Sequence, residues 1–203
     1  MNYWGNDIVV IDDQQDQTNE RLDRWIAKVC TNSEQAWLAE SKQRNRDRWL
    51  LWSCKESTYK VLMKTGVPTF LNAKRIEIVL GQSDSLGEQH FKANFEGKEF
   101  WGKSTWKKDW IHSVCCNHPL EGQRFRAGVI SSGATTTSED IREEVIAILT
   151  KEYDFKVKGI VQSASNVPMV VCDDSGGEVD LSFSHEGGYS AYVFRLSYTA
   201  FML

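Results

Sequence analysis

Apolar residues recur at intervals of three and four along the first third of the chain. Beyond about residue 70 they alternate instead. The first rhythm predicts helices and the second predicts strands. Leu22, Trp25, Ile26 and Val29 make one apolar face over about 19–30, with Thr18 as a cap. Ser33 can cap a second short helix through about Ser41. A third runs from about Asn45 to Lys64 and stops at Gly66-Val67-Pro68, residues that end helices. Ahead of these, Asp7-Ile8-Val9-Val10-Ile11-Asp12 is a β-branched run with acids at both ends, the pattern of a buried strand.

Further on, residues 75–80 read as a strand, and 90–96 with 99–106 as a hairpin about Gly97-Lys98. Residues 111–116 and 124–130 add strands, and 131–138 is a polar loop. Residues 139–153 form an amphipathic helix with Ile141, Val145, Ile146 and Leu149 inward. Strands at 160–162, 169–171, 179–184 and 189–198 complete the set. There is no regular βαβ alternation and no visible internal repeat, so the expected class is α+β. With 203 residues, three prolines and no low-complexity linker, a single domain over 1–203 is expected.

The third helix is unusual because it is apolar nearly all the way round. At 100° per residue Trp49, Trp52, Tyr59 and Met63 share one side, while Leu50, Leu51, Cys54, Val61 and Leu62 cover the other. Glu56 falls in the middle of the aromatic side. A carboxylate in such surroundings must be paired, protonated or bound to a metal.

Composition narrows the classes. A net charge of −4 argues against a protein built to coat nucleic acid. Trp101, Trp106 and Trp110 interleave with Lys103, Lys107 and Lys108, as in single-strand binders, but the same residues suit a twisted hairpin with one packed face. No nucleic-acid partner is therefore expected. Five cysteines, an odd number with no C-x-x-C pair, read as free thiols of a reducing compartment, so a cytoplasmic location is expected. No run is apolar and long enough to span a bilayer, so no membrane partner is expected.

Three constellations carry candidate chemistry, each beside a plain alternative. Glu56 and Lys60 are one turn apart: an ordinary ion pair, or a metal-holding carboxylate beside an ammonium that contacts phosphate. Asp7 is a strand-end acid, or a second carboxylate for the same hard cation. Ser182-Phe183-Ser184-His185 with Gly187-Gly188 is a polar hairpin, or a hydroxyl and an imidazole at a phosphate. A Ser-His nucleophilic pair is disfavoured, because neighbouring strand residues point to opposite faces. A metal-dependent phosphohydrolase using Asp7 and Glu56 would lack a motif of its own.

Together these segments resemble the 4′-phosphopantetheinyl transferases, especially the holo-acyl-carrier-protein synthase type. Gly5-Asn6-Asp7-Ile8 is similar to that family's Gly-x-Asp-Ile strand. Lys55-Glu56-Ser57-Thr58-Tyr59-Lys60 is similar to its Lys-Glu-x-x-x-Lys helix, and Ser182-Phe183-Ser184-His185 to its Ser-x-Ser-His strand. Trp52 and Ser57 look more like the surfactin-synthetase-activating branch. Thr31 with Glu34 resembles a Phe-Thr-x-x-Glu region, and Asn166-Val167-Pro168 stands in place of a Gly-Lys-Pro turn. The match covers about 5–70 and 160–195. Residues 71–159 read as an expanded, β-rich insertion on a sheet packed against a long central helix.

The resemblance implies transfer of the phosphopantetheine arm of coenzyme A to a serine of an apo acyl or peptidyl carrier protein. Asp7 and Glu56 would hold Mg²⁺, and Lys60, Ser184 and His185 would hold the phosphates. Lys42 and Arg46, from a basic run, would add phosphate contacts. Arg21, Arg24 and Lys28 would face the carrier. Departures are Leu51 in place of a usual arginine and Val9 in place of the other branch's third acidic ligand. Asp12, Asp13 and Asp16 crowd a region that is often basic. The Ser-His strand comes last, as in the synthases that assemble as trimers. This implies a homotrimer with Ser184-His185 of one chain facing Asp7 and Glu56 of another. The second reading is a catalytically silent relative that binds coenzyme A or a carrier.

Overall fold

The structure is a computed structural model that describes residues 2–11, 19–67, 72–83, 87–131, 138–163, 166–173 and 178–197. Thr18, Asp12, Asp13, Asp16, Pro68 and most of the polar loop after Ser131 lie outside the described residues. In chain order the elements are β1 (Trp4–Val10), α1 (Asn19–Val29), α2 (Asn32–Glu40), α3 (Arg44–Lys64), β2 (Ile76–Ser83), β3 (Gln89–Phe95), β4 (Lys98–Trp106) and β5 (Trp110–Cys116). There follow β6 (Arg126–Ser131), α4 (Ser138–Tyr153), β7 (Val157–Gln162), β8 (Pro168–Cys172), β9 (Glu178–Glu186) and β10 (Tyr189–Ser197). The class is α+β, with two antiparallel five-stranded sheets.

The strand orders are β1-β5-β4-β3-β2 and β6-β10-β9-β8-β7. Each sheet begins with a strand, passes through helix, and returns as a four-stranded meander whose last strand pairs with the first. The topology is therefore duplicated, although no repeat is visible in the sequence, because α1 and α2 occur only in the first half. Residues 71–159 supply the four strands that join β1 in the first sheet, and then β6 and α4 of the second half.

The pairing register explains the core. Ile76 and Ile78 of β2, Phe91, Ala93 and Phe95 of β3, Phe100 of β4 and Ile111 and Cys115 of β5 share one face of the first sheet. They pack with Leu50, Leu51, Cys54, Val61 and Leu62 of α3. In the second half Ile141, Val145, Ile148 and Leu149 of α4 pack with Leu181, Tyr192 and Phe194. Ile148 is more deeply placed than the expected Ile146, since it completes the stripe with 141 and 145. A small cluster of Trp4, Val114, Cys116 and Val193 closes the seam between the sheets.

The start of α2 is fixed by Thr31 and not Ser33. The Thr31 hydroxyl accepts the Glu34 N–H, and Glu34 accepts the Thr31 N–H at 2.7 Å, a reciprocal cap. The same carboxylate accepts the Ile78 N–H at 2.8 Å and pairs with Lys55 at 2.8 Å. Lys55 also donates to the carbonyls of Ala73 and Ile76. The Thr31–Glu34 and Lys55 motifs thus form one clip tying α2 and β2 to α3. At Gly5 an added Cβ would lie 2.2 Å from the Ser57 carbonyl, so β1 rests directly on α3 only because residue 5 has no side chain.

Candidate active site

In β1 the peptide groups of Gly5, Asp7 and Val9 pair with β5, and those of Trp4, Asn6, Ile8 and Val10 point to the sheet's open edge. Bare edges are costly. Here the edge is closed by side chains of β9. The N–H groups of Trp4, Asn6, Ile8 and Val10 donate in turn to Asp180 Oδ2, Ser182 Oγ, Ser184 Oγ and Glu186 Oε2, at 2.5, 3.2, 3.1 and 3.1 Å. The carbonyls are capped from α3. Lys64 Nζ donates to Trp4 O at 2.6 Å and Lys60 Nζ to Asn6 O at 2.7 Å. Both lysines also reach across the seam, Lys64 to Asp180 at 2.9 Å and Leu181 O at 2.8 Å, Lys60 to Phe183 O at 3.2 Å.

This seam sets Asp7. Its Oδ1 accepts from Ser184 Oγ at 3.0 Å and faces Lys60 Nζ at 3.4 Å, and Ser53 Oγ donates to its backbone carbonyl at 3.2 Å. Asp7 is 8 % exposed, yet its Oδ2 is buried with no hydrogen-bond partner. Burial pushes its carboxyl above the ordinary range, opposed by Lys60 and Ser184. Glu56 is pushed up to about 7 by burial and then by the negative charge of Asp7, with Lys60 opposing. The two carboxylates are thus electrostatically coupled, and Lys60 opposes the rise at both. Trp25 of α1 covers Trp52 at 5.8 Å and Trp49 at 5.5 Å, which walls the neighbouring face of α3.

An unfilled acceptor on Asp7 and a proton-retaining Glu56 fit a divalent cation, which would satisfy the first and displace the second. Among the described residues no group of three His, Cys, Asp or Glu side chains forms a metal site. The pair would thus leave other ligand positions to water and phosphate, as suits Mg²⁺.

Beside Lys60 opens a cavity of about 310 Å³. It is lined by Lys60 and Lys64 of α3, Arg142 of α4, Asn166-Val167-Pro168 of the β7–β8 turn, and Ser184 and His185 of β9. Among the described residues β8 and β9 pair at Met169 and Asp180. Ser184 is buried and His185 is exposed, as neighbouring strand positions require. The Ser184 hydroxyl is taken up by Ile8 N–H and Asp7, so what it visibly does is position Asp7.

Other expectations fare differently. Lys42 and Arg46 line a separate hollow of about 360 Å³ at the start of α3. Arg46 is held by Asp47 at 2.6 Å and lies over the Trp106 ring, so it is not brought to the Lys60 cavity. Arg46 and Glu56 are about 15 Å apart along a helix that rises about 1.5 Å per residue. Arg21, Arg24 and Lys28 are exposed on α1. The expected cross-chain site is corrected: Ser184 meets Asp7 within one chain, across the seam between the two halves.

Sequence reading missed Lys64, Asp180 and Glu186, which complete the seam, and Arg142. Arg142 gives one N–H to Ile160 O at 3.2 Å and keeps a buried Nε without a partner. The signal for Asp180 and Glu186 was present as alternation: Asp180, Ser182, Ser184 and Glu186 are two residues apart on one face of a strand.

A fold with a Gly-x-Asp strand laid on a Lys-Glu-x-x-x-Lys helix defines a class, and comparison with known families gives the same answer. The model of the 4′-phosphopantetheinyl transferase superfamily matches residues 4–115, and the chain belongs to that superfamily. The match extends from β1 through β5. No curated protein matches the chain. No helix among the described residues is long and apolar enough to cross a membrane.

Proposed function

We propose that the protein transfers the 4′-phosphopantetheine arm from coenzyme A to a serine of an apo acyl or peptidyl carrier protein, with Mg²⁺, releasing adenosine 3′,5′-bisphosphate. The observation that carries this reading is that Lys60, which pairs with Asp7 and is coupled to Glu56, also lines a cavity with Arg142 and His185. Membership of the superfamily supports the reaction class.

In this reading Asp7 and Glu56 hold the cation, which neutralises charge on the pyrophosphate when bound. Lys60 leaves Asp7 for a phosphate oxygen, and its contacts with Asn6 O and Phe183 O keep the ammonium at the seam. Arg142 and His185 take the remaining phosphate charge, with the unpartnered Nε of Arg142 supplying a ready donor. The carrier serine oxygen attacks the phosphorus that bears the pantetheine arm. The bond from that phosphorus to the bridging oxygen breaks, its electron pair leaves with the bisphosphate, and Glu56 accepts the serine proton. The stripe Arg21, Arg24 and Lys28 offers charge to an acidic carrier beside the Trp25 wall. Buried free cysteines fit a cytoplasmic setting.

The test is intact mass of an apo carrier after incubation with coenzyme A, Mg²⁺ and the enzyme. The carrier gains the mass of the arm with the parent, and Arg142→Ala raises the KM for coenzyme A more than it lowers kcat. No gain on any apo carrier, with coenzyme A still bound, would replace this reading by a silent relative.

A further inference from the structure

The duplicated topology gives the seam between β1 and β9–β10 a counterpart, where β6 faces β4–β5. There the halves do not close. A cavity of about 1000 Å³ lies between them. The difference is in the facing strand. β9 presents four acceptors to the edge of β1, whereas the seam-facing positions of β4 are Trp101, Lys103 and Thr105. Of these only the Thr105 hydroxyl can accept an N–H, and indole and ammonium are too bulky for a strand edge to settle on.

The open cleft is cationic in a chain whose net charge is −4. Lys103, Arg124, Arg126 and Arg195 line it against a single carboxylate, Glu88. Lys103 is engaged with Glu88 at 2.8 Å, and Arg126 with Glu152 at 3.3 Å. Arg124 and Arg195 make no ion pair among the described residues. Rings stand beside the cations: Trp110 and Phe125 line the cleft, with Lys103 Nζ 5.5 Å from the Phe125 centroid. On the floor, burial holds His112 neutral, down at about 3.

β6 reads Arg126-Ala127-Gly128-Val129-Ile130-Ser131, with no carboxylate to match Asp7, so the cleft has no cation-holding pair. It nevertheless backs onto the same strand. Asn6, next to Asp7, contacts His112 Nε2 at 3.3 Å, and Trp4 packs on Phe125 at 4.3 Å. Asn6 Oδ1 and Trp4 Nε1 are buried there without hydrogen-bond partners.

We propose that this second cleft binds a phosphorylated ligand carrying a planar ring, of the nucleotide class, without reacting with it. Phosphate engages Arg124, Arg195 and Lys103, the ring lies against Trp110 and Phe125, and the volume suits a ligand of that size. Occupancy is felt at β1 through His112 and Phe125. The site goes beyond the transferase reading and stands without it.

The probe is adenosine 3′,5′-bisphosphate, titrated by calorimetry. The parent is expected to show two binding events. The variant K103E/R124E should lose one, or weaken it at least tenfold, and His185→Ala should weaken only the other. Hydrogen exchange on His185→Ala, which leaves the cleft untouched, should show ligand protection of residues 103–112 and 126–129. The proposal is overturned if folded K103E/R124E binds like the parent, or if those segments gain no protection. If the transferase reading alone is wrong, His185→Ala binds like the parent while the event sensitive to K103E/R124E remains.

Discussion

Glu56 carries two burdens in the ion-free protein, a desolvated position and the charge of Asp7, and its carboxyl is raised from 4.5 to about 7. Folding therefore strengthens its hold on a proton. Between about pH 4.5 and 7 the unfolded chain releases that proton while the folded chain keeps it, so stability falls as pH rises through this window and stays low above it. Glu56→Gln removes the burden. Without divalent ions its Tm should exceed the parent's above pH 7, and the gain should shrink toward pH 4.5. Equal thermal curves at pH 8 would contradict this account. Mg²⁺ must displace the same proton, so its affinity for the parent should rise with pH, up to about tenfold per unit below 7, and calorimetry in buffers of different ionisation enthalpy should detect the released proton. Glu56→Gln should also lower transfer by about 10²-fold or more, the loss expected when a charge-stabilising group is removed.

At the scale of elements, the side-chain ladder from β9 decides how rigidly Asp7 is held. Ser182→Ala leaves the buried Asn6 N–H without an acceptor and should cost about 1–3 kcal/mol of stability, with little change in kcat. Ser184→Ala costs a similar amount by freeing the Ile8 N–H, but also removes the donor to Asp7, so kcat should fall as well. Urea unfolding and carrier-transfer kinetics on both variants separate the two effects, and equal kcat losses would contradict the assignment. Gly5→Ala drives a Cβ into the Ser57 carbonyl and should destabilise by about 1–3 kcal/mol or more. The helices were legible because apolar spacing of three and four is local, and so were the hairpins, because Gly97 and Gly187-Gly188 sit between alternating runs, although the first turn falls at Glu96-Gly97, one residue before the expected Gly97-Lys98. Glu56 and Asp7 were legible as charges in apolar surroundings. The ladder was not, since each of its bonds joins residues 176 apart and alternation does not say what it faces. Arg142 was hidden because one arginine in an amphipathic helix looks like any solvated charge.

For the whole molecule, the order of motifs suggested a site shared between subunits, and the second sheet supplies the missing surface instead. A chain with one half would have to borrow a partner for the free edge of β1. Here β9 of the same chain closes that edge, and Lys60 and Lys64 bind carbonyls on both sides of the seam. The Ser184–Asp7 contact within one chain has a direct consequence for mixtures of inactive variants. His185→Ala lacks a phosphate contact and Glu56→Ala lacks a carboxylate, and no exchange of subunits can bring the two intact residues together if each site is built within one chain. Equimolar mixtures, unfolded and refolded together to allow exchange, should therefore show no more transfer than the sum of the separate variants. Parent activity per chain should not depend on protein concentration across a range in which light scattering gives the mass of a single chain. Recovery toward a quarter or more of parent activity in the mixture would mean that the seam opens and re-forms between chains.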